Sequence, residues 1–188
     1  KYEHDSCGIG FVANIKGKKS YDIIKRGLEV LERMEHRGAE SADNKTGDGA
    51  GILMEIPHDF YSEQIKLPNL GEYGTGLVFL PQNQDDLKAC INEFESVIKD
   101  EGFEVTGWRD IEVDDSFIGE IAKRSEPIMK QIFVAPKNKL DQKNLEIKLY
   151  VIRKVIERKI RNSSIGEKDY FYIPSLSSKT IVYKGMLM

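Results

Sequence analysis

The chain has 188 residues, of which 31 are acidic and 28 basic, for a formal charge of −3. With 40 % apolar and 31 % charged residues it reads as a water-soluble domain able to bury a core, and the near balance of charge removes any electrostatic ground for a nucleic-acid or anionic-membrane partner. No apolar run approaches the roughly 18 residues that span a bilayer, and two cysteines, Cys7 and Cys90, cannot make a disulfide framework, so both read as reduced thiols in a cytoplasmic setting.

The chain opens on Lys1 and closes on the apolar run Gly185-Met186-Leu187-Met188, so both ends read as cut from something longer. Residues 7–15 (CGIGFVANI) are short, β-branched and glycine-led, which predicts a buried strand. Ser20 then caps a helix in which Ile23, Ile24, Gly27, Leu28, Leu31 and Met34 recur at helical spacing, with His36-Arg37-Gly38 as its stop. A polar loop, 39–48, feeds a strand over 49–56 that Pro57 ends, and a short helix is expected near 58–65.

The middle reads as strand 74–80, helix 84–100, strand 103–110, helix 116–124 and strand 128–135. Leu87, Cys90, Ile91, Phe94, Val97 and Ile98 form one apolar stripe, so Cys90 packs as a small hydrophobe. Asp141 or Asn144 opens a long helix to about 161, with Leu145, Leu149, Ile152, Val155, Ile156 and Ile160 inward and Arg153, Lys154, Arg158, Lys159 and Arg161 on a solvated face. Strands near 170–173 and 179–184 close the chain. Strands and helices mix without a strict βαβ cadence, which predicts an α+β fold.

Several motifs dissolve on inspection. Gly8-Ile9-Gly10-Phe11-Val12-Ala13 matches the dinucleotide fingerprint G-x-G-x-x-A, but no strand precedes it and no helix starts inside it, so the pyrophosphate has no helix N-terminus to sit on. Gly47-Asp48-Gly49-Ala50-Gly51 lacks the Lys-Ser/Thr of a P-loop and is better read as a turn entering a strand, tightly packed against another backbone. His4, His36 and His58 make no pair at metal-binding spacing, so no metal site is expected. Asn162-Ser163-Ser164 fits a glycosylation pattern that a cytoplasmic chain gives no meaning.

Cys7 has two readings. A lone cysteine at a strand start is ordinarily a packing residue. Against that, Gly8 and Gly10 leave room for something to approach beside the thiol, and the six polar residues before it look removable. Their removal would place a free α-amine, with a pKa near 7.7–8.0, next to the sulfur. A thiol with a base in reach is an activated nucleophile, which needs no histidine partner.

Cys7-Gly8-Ile9-Gly10-Phe11-Val12-Ala13, His36-Arg37-Gly38-Ala39 and Gly47-Asp48-Gly49-Ala50-Gly51-Ile52, taken in order, resemble the start of the class II, N-terminal-nucleophile glutamine amidotransferase domain. The resemblance implies an Ntn-hydrolase fold, a four-layer α/β/β/α sandwich left incomplete in this chain. It makes residues 1–6 a propeptide remnant and 7–188 the N-terminal part of a type 2 amidotransferase domain. It implies release of ammonia from L-glutamine, with Cys7 as the nucleophile and Arg37 supporting it. For Arg37 a surface or capping role stands beside that one, and Asp48 is equally a plain turn residue. Further stretches, among them Gly107-Trp108-Arg109-Asp110 and Lys179-Thr180-Ile181-Val182-Tyr183-Lys184-Gly185-Met186, carry the resemblance to a parent enzyme that aminates 2-oxoglutarate. Its other domains would use FMN and an iron–sulfur cluster, none of it in this segment, with a small reductase subunit as candidate partner. The chain has neither the Arg-Phe-Ser-Thr segment that grips the substrate carboxylate in this family nor an Asn-Gly dipeptide for the oxyanion hole. The 188 residues alone are therefore expected to be inactive, with substrate-binding residues downstream. A scaffold with the same fold, and an amidotransferase of another acceptor specificity, are the alternatives.

Overall fold

The computed structural model describes residues 8–34, 49–116 and 118–186. Its elements in chain order are α1 (Tyr21–Glu32), β1 (Gly49–Glu55), α2 (His58–Ser62), β2 (Gly74–Leu80), α3 (Gln84–Asp100), β3 (Phe103–Asp110), α4 (Glu120–Lys123), β4 (Ile128–Pro136), α5 (Gln142–Arg161) and β5 (Thr180–Met186), with a 3₁₀ turn at Lys168–Tyr170. This is a mixed α/β arrangement with antiparallel pairing. It divides into two compact units, one of described residues within Lys1–Met54, Asp114–Ser125 and Tyr183–Met188, the other of Glu55–Val113 and Glu126–Val182.

The second unit is built on a three-stranded antiparallel sheet in the order β2-β4-β3. Gly74 faces Val134 and Leu80 faces Ile128 along one side of β4, while Phe103 faces Pro136 and Asp110 faces Lys130 along the other. A register shift between Val105 and Gly107 bends β3. The period of two sends Val78, Leu80, Ile132 and Val134 to one face, where Leu87, Cys90, Phe94, Val97 and Ile98 of α3 and Leu145, Leu149, Ile152, Ile156 and Ile160 of α5 close over them. Asn83 caps α3 by accepting from the amides of Asp85 (2.9 Å) and Asp86 (3.1 Å). Of the two candidate caps for α5, Asp141 holds the position, accepting from the Asn144 amide at 2.9 Å.

The free edge of β2 is covered by the chain that follows α5. Thr75 pairs with Ser177 and Phe79 with Tyr172 as single bridges, and Gly76 lies so close to the Ser175 carbonyl that no side chain fits between them. The carboxylate of Glu146 pins this cover by accepting from the Ser178 amide and hydroxyl (each 2.6 Å) and from the Ser177 hydroxyl (3.0 Å). An exposed edge would otherwise invite pairing with another chain.

In the first unit β1 and β5 form a two-stranded sheet. Gly51 sits against the Tyr183 carbonyl, where an added Cβ would come within 2.7 Å, and Gly49 sits near the Gly185 carbonyl. That close backbone approach is what the glycine cluster predicts.

Five expectations need correction. Residues 8–14 form no strand among the described residues and Ile15 enters a turn, with Ile9 97 %, Phe11 91 % and Ile15 103 % exposed, because a β-branched run becomes a strand only where a neighbour offers ladder partners. The helix expected at 116–124 is only Glu120–Lys123, starting after Gly119, and that at 58–65 stops at Ser62. The strand at 170–173 reduces to the one bridge at Tyr172. Ser20 precedes α1 without a side-chain capping bond, and no residue of α1 is fully buried.

Candidate functional site

Cys7, Arg37 and Asp48, singled out in the sequence, lie outside the described residues, and so does His36. The described chain after Cys7 has no regular structure: Ile9 and Phe11 are exposed, while Gly10 lies against Val30 of α1 and Val12 is half-buried. Three positions before Val30 in α1, Gly27 lets Ile52 of β1 approach, to 3.1 Å from where a Cβ would stand. A row of small residues thus links the segment after Cys7, α1, β1 and β5 within the first unit.

The other cysteine is placed and can be judged. Cys90 is fully buried in α3, and burial, reinforced by the Asp86 carboxylate, pushes its thiol up to about 11. Burial alone pushes the Tyr73 phenol up to about 12; its oxygen lies 3.2 Å from His58 Nδ1. Both groups are held in their neutral forms, so their stabilising contribution is complete below the unfolded values of 9.0 and 10.0. It is lost as pH rises through the folded values. We expect the native protein to withhold Cys90 from a thiol reagent at pH 8, and the urea midpoint to fall as pH rises from 9 to 11. Rapid modification of Cys90 without denaturant would contradict this placement.

Two polar clusters of the second unit escaped sequence reasoning. Arg109 donates from Nε to Gln64 Oε1 (2.7 Å) and from Nη1 to Gln131 Oε1 (3.1 Å), and lies over the Phe60 ring. Gln131 in turn donates to Thr75 Oγ1 (2.9 Å), which donates to the Ile132 carbonyl (2.8 Å). The chain of donors ends on backbone, with the Thr75 hydroxyl proton committed to the Ile132 carbonyl, so it fixes the sheet. A lone glutamine in the apolar run of β4 was the available signal. The second cluster corrects the reading of Arg153. Its guanidinium is no part of a solvated face: Nη1 donates to the Pro174 carbonyl at 2.6 Å, Nε lies 3.6 Å from Glu157, and the group borders a cleft of about 410 Å³.

Among the described residues no cluster of His, Cys, Asp and Glu could hold a metal ion, and no helix is long and apolar enough to cross a membrane.

The family model of class-II glutamine amidotransferases matches residues 7–188, so the chain belongs to that family. Within it, the chain is similar to glutamate synthases. It is 44 % identical to the NADPH glutamate synthase large chain of Bacillus subtilis over 191 residues, covering all of this chain and 12 % of the relative. It is 40 % identical to the chloroplastic ferredoxin-dependent glutamate synthase of Oryza sativa, covering 98 % of this chain and 12 % of that protein. To the NADH glutamate synthase of Saccharomyces cerevisiae it is 37 % identical, covering 99 % of this chain and 9 % of the yeast protein. The chain thus spans about an eighth of the length of the curated relatives it matches, or less.

Proposed function

We propose that the chain is the glutaminase part of a glutamate synthase large chain, an enzyme. Residues 1–6 are the remnant of a removable propeptide and 7–188 the N-terminal part of a four-layer type 2 amidotransferase domain. The observation that carries this reading is a family match that opens at Cys7 and runs to the last residue, together with glutamate synthases 36–44 % identical over nearly the whole chain.

Once residues 1–6 are cut away, the α-amine of Cys7 is a base with a substantial uncharged fraction near neutral pH. It accepts the thiol proton as Sγ attacks the γ-carboxamide carbon of L-glutamine. The C–N bond then breaks, the amine returns the proton to the departing nitrogen, and ammonia leaves. Water next adds to the γ-glutamyl thioester, the C–S bond breaks, and glutamate departs with the thiol restored. Arg37, as a fixed fork of donors near the sulfur, favours the thiolate.

The ammonia passes to 2-oxoglutarate in the remaining domains of the same polypeptide, with a small reductase subunit as further partner and neither nucleic acid nor membrane involved. FMN and an iron–sulfur cluster belong to those domains; a four-thiolate cluster needs more than the two cysteines of this chain. The assignment to the cytoplasm is part of the same reading.

The 188 residues alone are inactive on this reading, since they contain no Asn-Gly dipeptide and no Arg-Phe-Ser-Thr segment, and each missing oxyanion donor costs about 10²–10³ in rate. Intact-mass analysis of the native full-length protein tests the proposal: the mature chain should begin at Cys7, and a glutamine-analogue electrophile should label Cys7 but not Cys90. A protein that keeps residues 1–6 on every molecule while releasing ammonia from glutamine at full rate overturns it and leaves a differently built site; one that keeps them and is inert is the scaffold.

A further inference from the structure

We propose that the cleft between the C-terminal half of α5 and the segment 168–174 is a binding site for a small dicarboxylate. It lies wholly within the second unit and is lined by neither Cys7 nor Arg37.

The walls of this cleft, of about 410 Å³, carry more positive than negative charge: Arg153, Lys154, Arg161 and Lys168 against Glu157 and Asp169. The acids leave the excess standing. Glu157 is shared between Lys154 at 2.7 Å and Arg153 at 3.6 Å, while Arg161 and Asp169 make no ion pair among the described residues. Arg153 is under-compensated. Its side chain is only 20 % exposed and Nη1 donates to the Pro174 carbonyl at 2.6 Å, but the buried Nε has no hydrogen-bond partner. A cation drawn this far from water without a close carboxylate carries a desolvation cost that its own surroundings do not recover. An anion in the cleft offsets that cost through its charge, without having to reach Nε itself.

The cations stand at two ends. Arg153 is anchored on Pro174, and Lys168 Nζ on the Ser163 carbonyl (2.9 Å) just past the end of α5. Arg153 and Arg161 are eight residues apart on the helix, about 12 Å along its axis. Glu157 lies midway between them in sequence, so an anionic group held at the centre would meet a like charge. Apolar lining also falls between the ends: Ile160 between Arg153 and Arg161 on the helix, and Phe171 and Ile173 between Lys168 and Pro174 on the facing segment. A single anionic group can pair with one end only. A short chain with a carboxylate at each end serves both, offering the arginine forks the planar acceptor they match and laying its methylenes on the apolar middle.

The test follows hydrogen exchange in the full-length parent protein at fixed ionic strength, with glutarate as the probe and acetate at twice its concentration as the single-headed control. Glutarate should slow exchange at least threefold at the amides of Tyr170 and Phe171, which close the 3₁₀ turn on the Glu167 and Lys168 carbonyls; acetate should leave them unchanged. Arg153→Gln should remove the protection, but it also gives up the contact to Pro174. The deciding variant is therefore Arg161→Gln, which changes an exposed side chain with no ion pair to lose. It should raise the half-saturating glutarate concentration about tenfold, the worth of one charge-assisted hydrogen bond. Exchange at Tyr170 and Phe171 unmoved by glutarate, equal slowing by acetate, or a half-saturating concentration that Arg161→Gln leaves within about twofold each overturns the proposal.

Discussion

Cys7→Ala in the mature full-length parent protein is expected to lower glutamine-dependent glutamate formation by on the order of 10³-fold or more, while turnover on added ammonium stays within about twofold. The size follows from the double use of one residue. Removing the side chain deletes the nucleophile outright and leaves the α-amine with no thiol to deprotonate, so no covalent intermediate forms and the hydrolysis loses its two-step path. The ammonium arm decides between chemistry and architecture. Ammonia supplied from solution bypasses the thioester, so an intact acceptor half still turns over, whereas a misfolded chain loses both activities together. A glutamine rate unchanged by the substitution would remove Cys7 from the reaction, and the reading of residues 1–6 as a propeptide with it. The described thiol, Cys90, offers no rescue: it is fully buried, its pKa is raised to about 11, and the thiolate that attack requires is scarce near neutral pH.

Legibility in the sequence followed the source of each element's stability. Strands β2 and β3, helix α3 and helix α5 could be read to within a residue or so because their apolar periods are local and their stops are chemical: Asn83 and Asp141 at helix starts, and Gly102 with a φ of 80° after α3. What failed depends on partners elsewhere in the chain. Residues 8–15 carry a strand composition but find no ladder among the described residues, and 170–173 earns one bridge where a strand was expected. The outward reading of Arg153 failed for the same reason, since the Pro174 carbonyl that draws its guanidinium in is 21 positions away. The proposed site was reached in another way. Cys7 was reached by asking what base could serve a thiol in a chain without a suitable histidine, and Arg37 by resemblance alone. Periodicity says nothing of either.

The stability of the second unit should hinge on Phe94. Its ring is fully buried between α3 and β3, edge-on to Trp108 at 5.5 Å and to Phe171 at 6.2 Å. Trp108 is held in turn by its indole N–H, which donates to Glu95 at 2.9 Å. Neither ring can slide into a vacated space without giving up its own contacts, so Phe94→Ala leaves a void that is only partly filled. A loss of about 3–5 kcal/mol is expected, a large share of the roughly 5–15 kcal/mol that holds a typical domain folded. In a thermal scan this is a Tm lower by roughly 6–20 °C. Phe94→Leu, which keeps most of the volume, should cost well under half as much. A Phe94→Ala protein within about 1 kcal/mol of the original would show that this part of the core is loosely packed. Hydrogen exchange adds a sharper reading. Phe171 adjoins Tyr172, whose amide donates to the Phe79 carbonyl at 3.2 Å on the edge of β2. Loss of the Phe94 ring should therefore speed exchange at Tyr172 before it affects the amides of β4. Equal acceleration across β4 would mean that the cover of that edge is held by the Glu146 and Ser178 contacts alone, with the aromatic cluster contributing only to the interior.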